Sequence, residues 1–94
     1  MLLIILFHAS VSAEEMTARN LLISQGCKGC HKFEGAGGIL GPALDKVGRR
    51  LNGFQLEQKL LRPQASNQDS VMPSYRHLRD TQIKSLVNFL KAQK

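Results

Sequence analysis

Cys27-Lys28-Gly29-Cys30-His31 is the stretch that decides the fold. Two cysteines three residues apart, followed directly by a histidine, are the pattern at which a c-type haem is attached. Near the start of a helix, residues i, i+3 and i+4 share one face, so both sulfurs and the imidazole can converge on one flat ligand. Cys27 and Cys30 would bond the haem vinyl groups as thioethers, and His31 would bind the iron.

Three other uses of the cysteine pair remain open. A structural zinc site takes four Cys or His ligands, so with only two cysteines in the chain it would also need His77 or His8. A thioredoxin-like dithiol would need a strand-helix-strand context, whereas glycines surround this pair. A disulfide is possible, but so short a loop gives little cross-linking entropy.

Length and charge limit the class of protein. The 94 residues suggest one domain, and 13 Lys and Arg against 7 Asp and Glu give a formal net charge of +6. The four Phe and one Tyr form no base-stacking array among the basic residues, so nucleic acid is not the expected partner. Positive charge on a small exported protein instead predicts steering to an acidic protein partner or an anionic membrane surface.

The N-terminal segment resembles a signal peptide. Residues 2–13 carry no formal charge and begin with six apolar residues, and Val11-Ser12-Ala13 offers small residues for a cut before Glu14. We therefore expect a signal peptide at 1–13, one domain at 14–94 and a periplasmic location. No Lys or Arg precedes the apolar run, so a longer precursor is expected. Twelve residues are too few to span a bilayer, which needs about 20.

Hydrophobic spacing predicts three helices, over 14–25, 54–62 and 80–94, with Asp80 as the N-cap of the last. The glycine-rich stretch 34–44 is expected to let the backbone pass close to a bulky flat ligand. The remaining stretches predict a turn at Gly48-Arg49-Arg50 and a loop over 64–70. Either arginine of the turn could meet a haem propionate or remain solvated.

Met72 is the candidate for the second axial ligand. Pro73 disfavours helical geometry at the residue before it, so Met72 is expected to project from an extended, stiff loop. A thioether is a good haem ligand opposite a histidine. His77 and Met16 are the competing candidates for this position.

Four motifs in order resemble a known family. Cys27–His31, Gly41-Pro42-Ala43-Leu44, Met72-Pro73 and the terminal Leu86-Val87-Asn88-Phe89-Leu90 together resemble a small bacterial class I cytochrome c. The resemblance implies an all-α fold in which the N- and C-terminal helices cross and loops wrap one covalently bound haem c. Members often have a glycine and an aromatic residue in the first helix where this chain has Arg19 and Ile23.

The same resemblance implies roles for individual residues. Cys27 and Cys30 would carry the thioethers, His31 and Met72 would be the axial ligands, and the carbonyl of Pro42 would accept a hydrogen bond from the other ring nitrogen of His31. An iron with six ligands has no open position for a substrate, so we expect a one-electron carrier rather than an enzyme.

The expected carrier is a monomer that meets redox proteins with acidic docking surfaces. Residues 67–75 also resemble the methionine loop of monohaem subunits in thiosulfate-oxidising complexes. An electron relay within such a complex, or within a sulfite dehydrogenase system, is therefore the alternative. A five-coordinate haem with peroxidase or gas-sensing activity is a third interpretation, if Met72 does not bind.

Overall fold

The computed structural model describes residues 11–94, so residues 1–10 of the predicted signal peptide lie outside the described residues. Its helices are α1 (Ala13–Ser24), α2 (Val47–Arg50), α3 (Gly53–Leu61), α4 (Pro63–Ser66) and α5 (Asp80–Lys91), with a 3₁₀ turn at Cys27–Gly29 between α1 and α2. Residues 11–94 contain no β-strand, only an isolated bridge between Phe33 and Ala36. The all-α prediction is confirmed.

The first and last helices form the main packing contact, as the family resemblance implies. α1 begins after Ser12, whose hydroxyl accepts a hydrogen bond from the Glu15 amide at 3.0 Å. Its inner face buries Ala18, Leu21 and Leu22. α5 contributes the buried side chains Ile83, Leu86, Phe89 and Leu90. α3 and α2 also pack against α5, which makes the C-terminal helix the centre of the core.

Arg19 lies beside this crossing. Its guanidinium carbon is 5.2 Å from the centre of the Phe89 ring and 5.9 Å from that of Phe33, and the two rings pack edge to face. It also forms an ion pair with Glu34, and the hydrogen bond in that pair raises the pKa of Arg19. Ile23 is 68% exposed and lies away from the crossing. At the position where family members often have glycine, this chain therefore places a guanidinium beside two aromatic rings.

Two short helices were predicted as irregular structure. The stretch Gly48-Arg49-Arg50 lies in α2, and 64–70 begins within α4. Pro63 ends α3 but also starts α4, because a proline is well suited to the first position of a helix. Single helical turns of this kind lack the apolar spacing by which longer helices are predicted.

The predicted start of the last helix at residue 80 is confirmed, but its predicted cap residue and its predicted end at Lys94 were wrong. The backbone amide of Arg79 donates to Gln82 Oε1 at 2.9 Å, so Arg79 occupies the cap position and Asp80 is the first helical residue. The helix ends at Lys91, and the carbonyl of Gln93 accepts a hydrogen bond from the Gly48 amide at 2.8 Å. The last residues of the chain therefore pair with α2 instead of extending α5.

Candidate haem-binding site

One cavity of about 610 Å³ brings together the predicted site residues. Cys27, Cys30, His31, Pro42 and Met72 all line it. Its volume lies in the range of pockets that hold cofactors. Most of the other lining residues are apolar, and they extend from Leu40 in the glycine-rich loop to Leu90 of the last helix. The fold therefore surrounds this space with an apolar shell into which the candidate ligands project.

The His31 ring is fixed by its neighbours. Its Nδ1–H donates to the carbonyl oxygen of Pro42 at 2.7 Å, so the lone pair of Nε2 is free to bind a metal. Gly41 lies directly against the imidazole, and a Cβ atom there would collide with the ring. This is the arrangement by which a protein orients a metal-binding histidine and selects its tautomer.

The glycine-rich loop is tied to the attachment motif by backbone hydrogen bonds. The amide of Gly38 donates to the Lys28 carbonyl at 2.9 Å, and the amide of Gly41 donates to that of Cys30 at 2.8 Å. A Cβ atom at Gly38 would collide with the backbone of Gly29. The glycines therefore let the loop backbone lie against the attachment motif. The predicted close approach of this loop to a bulky ligand stays a prediction.

Both cysteines are free thiols held on one short turn. Gly26 precedes them with a φ of +74°, a conformation that glycine adopts without strain, and it redirects the chain after α1. The amide of His31 donates to the Cys27 carbonyl at 3.0 Å, which closes one helical turn over the motif. Burial raises the pKa of the Cys27 thiol, so this position favours an uncharged sulfur, as a thioether is.

Met72 lies on a segment after α4 that is neither helix nor strand, and its predicted extended geometry stays a prediction. It is partly buried and packs against the hydrophobic core. The segment is anchored after Met72 by Ser74, whose hydroxyl donates to the Leu61 carbonyl at 2.7 Å, and by the Tyr75 amide, which donates to the Leu60 carbonyl at 2.8 Å. The thioether thus shares the cavity with His31, as a second axial ligand must.

The competing candidates lie elsewhere. Met16 is 55% exposed on α1 and does not line the cavity. His77 is exposed and does not line the cavity, and its Nε2 is hydrogen-bonded at 2.8 Å to Oε1 of Gln25, which does. Within residues 11–94, no three His, Cys, Asp or Glu side chains gather into a group that could hold a metal ion. The zinc alternative therefore gains no ligand set there, and His8 lies outside the described residues.

The cavity wall also carries charge. Arg50 lines it, whereas Arg49 does not, and Lys59 and Asp69 line it as well. A haem carries two propionate groups, and an arginine guanidinium can pair with a carboxylate through two hydrogen bonds. Of the two arginines considered from the sequence, Arg50 is therefore the one placed to meet a propionate.

Tyr75 is a site residue that sequence reasoning missed. It is only 6% exposed, it lines the cavity, and its hydroxyl lies 3.4 Å from the carbonyl oxygen of Gln25. Burial, with a smaller contribution from the nearby Cys27, raises the pKa of its phenol to about 12. Its position three residues after the candidate ligand was the one available signal, because hydrogen-bond partners distant in sequence leave no local pattern.

An all-α fold that encloses one apolar cavity, with two thiols, an oriented imidazole and a thioether in its wall, defines a class of protein that holds a covalently attached haem. A comparison with family models agrees: the model for cytochrome c matches residues 17–94. The chain belongs to the cytochrome c family and is a small class I c-type cytochrome. Its Cys27 and Cys30 fit the family's attachment motif for haem c, and its class of function is haem-based electron transfer.

A curated relative is also similar to this chain. Cytochrome c oxidase subunit 2 of Alkalihalophilus pseudofirmus is 30% identical in an alignment 84 residues long, and the alignment covers 81% of this chain. The match takes in only 25% of the relative, so the chain spans about a quarter of that protein's length. Among residues 11–94, no helix has the length and apolar character needed to cross a membrane.

Proposed function

We propose that this chain is a periplasmic one-electron carrier that holds a single haem c between His31 and Met72. The observation that carries the proposal is that an imidazole with a free Nε2 and a methionine thioether line the same cavity as the two attachment cysteines. Two protein ligands fill both axial positions of a haem iron, which leaves none for a substrate. We therefore propose that the protein is a carrier and not an enzyme.

When bound, the haem supplies one-electron chemistry by cycling between Fe(II) and Fe(III). The chain's own residues determine how the haem is held and what surrounds it. Pro42 holds His31 in one tautomer and raises its basicity, and the apolar wall excludes water. Arg50 lines the same cavity and would pair with a propionate of the bound haem. A thioether ligand and a low-dielectric surrounding both favour the reduced state, so the proposed carrier has a relatively high potential.

The net charge of +6 supports a partner with an acidic surface. Lys28, Lys32, Lys46, Arg49 and Arg76 are the basic residues proposed for docking, and all five lie outside the cavity. Lys32 directly follows the attachment motif and is exposed, as a residue that meets a partner must be. Redox partners associate through small, weak interfaces, so long-range attraction would mainly raise the rate of encounter. The free carrier is proposed to be a monomer.

A periplasmic location is supported by the predicted signal peptide and by the chemistry of the site. Two cysteines held as thioethers cannot form mixed disulfides in an oxidising compartment. A cut before Glu14 would remove Ser12 and Ala13, and with them the cap of α1. The N-terminal residue of the mature protein, measured by intact mass, tests this part of the proposal.

An electron relay within an enzyme complex is the second candidate. It is favoured by the similarity to a subunit of cytochrome c oxidase, and the Met72 segment resembles monohaem subunits of thiosulfate-oxidising complexes. In this function the haem would pass electrons inside one assembly, such as a thiosulfate-oxidising or sulfite dehydrogenase system. Isolation of the native protein in a fixed ratio with a catalytic subunit would support the relay, and a free monomer would support the shuttle.

Carbon monoxide binding tests whether the coordination sphere is closed. Because Met72 must leave before another ligand can bind, we expect the reduced holoprotein to bind carbon monoxide slowly at neutral pH, and the Met72→Ala variant to bind it at least about 100-fold faster. Stopped-flow absorbance measures both rates. Rapid binding by the unmodified protein would contradict the carrier and support a five-coordinate haem with sensing or peroxidase activity.

A further inference from the structure

Gln64 is exposed and lies beside the Met72 segment. It is the second residue of α4, directly after Pro63, which is among the most completely buried side chains of the described residues. The buried proline fixes the backbone at this point because its ring also restricts φ. The side-chain amide of Gln64 thus extends from a short helix whose first residue is anchored in the core.

Both N–H groups of this amide have a partner in the Met72 segment. Gln64 Nε2 donates to the Ser70 carbonyl at 2.9 Å and to the Met72 carbonyl at 3.0 Å. A primary amide has two N–H donors, so the two carbonyls use its full donor capacity. In addition, the Met72 amide donates to Ser70 Oγ at 3.3 Å, which closes a local turn around the ligand residue.

The two sides of Met72 are held differently. On the C-terminal side, Ser74 and Tyr75 anchor the chain directly to the end of α3. On the N-terminal side, residues 67–69 are exposed and Val71 is 82% exposed, so hydrophobic burial contributes little there. The hydrogen bonds from Gln64 to the carbonyls of Ser70 and Met72 connect this N-terminal side of the segment to α4.

We infer that Gln64 is a positioning residue for the axial thioether: it holds the backbone of Met72 and thereby limits how often the sulfur leaves the iron. The inference rests on the proposed ligation by Met72. A ligand residue on a free loop dissociates readily, since detachment needs only a local opening of the chain. Two hydrogen bonds to the carbonyls at and near that residue oppose such an opening.

Cyanide binding by the oxidised holoprotein measures this opening, because cyanide reaches the iron only after Met72 has left. We expect Gln64→Met, which keeps the length of the side chain and removes both donors, to raise the binding rate about five- to tenfold. Gln64→Glu should act in the same direction. Gln68 is the matched control, because it is exposed and its side chain makes no hydrogen bond within the described residues, so Gln68→Met should leave the rate unchanged.

Two further measurements separate this effect from general instability and from failure of the proposed ligand. Asn52→Ala removes the capping box of α3 and should lower the free energy of unfolding without raising the cyanide rate. An unchanged rate in both Gln64 variants, with the methionine-iron band present, would overturn the role of Gln64 alone. Absence of that band from the unmodified protein would instead overturn ligation by Met72.

Discussion

At the scale of the residue, one hydrogen bond prepares His31 for iron. The Pro42 carbonyl accepts the Nδ1 proton and leaves Nε2 as the ligand atom, while Gly41 leaves room for the ring. These contacts come from a loop ten to eleven residues further along the chain, and they fix the orientation of the imidazole. The binding site is therefore built by backbone packing as much as by the motif.

Tyr75 makes the free energy of unfolding depend on pH in the alkaline range. Burial is the largest of the causes that raise the pKa of its phenol from 10.0 to about 12, and burial remains when haem fills the cavity that Tyr75 lines. Between these pH values the unfolded chain loses the proton while the folded chain keeps it. Stabilisation from the neutral phenol is therefore complete below pH 10 and is lost as the pH rises toward about 12.

Chemical denaturation of the holoprotein and its Tyr75→Phe variant tests this linkage. We expect the difference in the free energy of unfolding, wild type minus variant, to be constant from about pH 7 to 9 and then to fall as the pH approaches 11. Comparing two proteins at each pH removes effects of the other titrating groups. A difference that stays constant through pH 11 would show that Tyr75 has its ordinary pKa in the folded state.

Residues with chemistry in their own side chains could be predicted from the sequence, whereas those that act through a distant partner could not. Cys27, His31 and Met72 have recognisable neighbours in the sequence, and the structure places all three in one cavity. Gln64 and Tyr75 act on residues that only the folded chain brings near. No spacing rule marks an amide that happens to face two carbonyls.

At the scale of the element, long helices with an apolar stripe were predictable and single turns were not. α1, α3 and α5 agree with the expected segments to within about three residues at each end. α2 and α4 each have only four residues, and what fixes them is tertiary: α2 packs on α5, and α4 begins at a buried proline. Short helices depend on packing because isolated turns are unstable in water.

The crossing of α1 and α5 also combines features that could be predicted from the sequence with one that could not. The apolar faces that meet there follow from spacing, but the position of Arg19 over Phe33 and Phe89 does not. An arginine in a helix is usually solvated, and this one reaches the aromatic pair while also bonding Glu34. The chain thus keeps the helix crossing implied by its family with a different residue at its edge.

At the scale of the whole molecule, the net positive charge and the proposed six-ligand iron site are both suited to the proposed carrier function. A carrier that makes and breaks no covalent bonds needs a partner to come close, and a net charge of +6 provides long-range attraction to an acidic surface. The proposed carrier needs no open path for a substrate, and residues between Gln25 and Leu90 form the wall of the cavity.

Ionic strength tests the docking hypothesis. We expect electron transfer to an acidic redox protein to slow roughly tenfold between about 0.01 M and 0.3 M salt, because screening shortens the range of attraction. Lys32→Gln should lower the rate at low salt, whereas Lys94→Gln, an equal charge change at the chain end, should have a smaller effect. A rate independent of salt, or equal effects of the two variants, would contradict docking through the face beside the attachment motif.

Ligation of the iron by both His31 and Met72 is the central claim, and the optical spectrum of the oxidised holoprotein at neutral pH tests it most directly. A methionine sulfur bound to ferric haem gives a weak far-red band. We predict that the band is present in the unmodified protein, is retained in Met16→Ala and is lost in Met72→Ala. A spectrum of the unmodified protein without the band, or a band that survives Met72→Ala, would contradict the proposed closed coordination sphere.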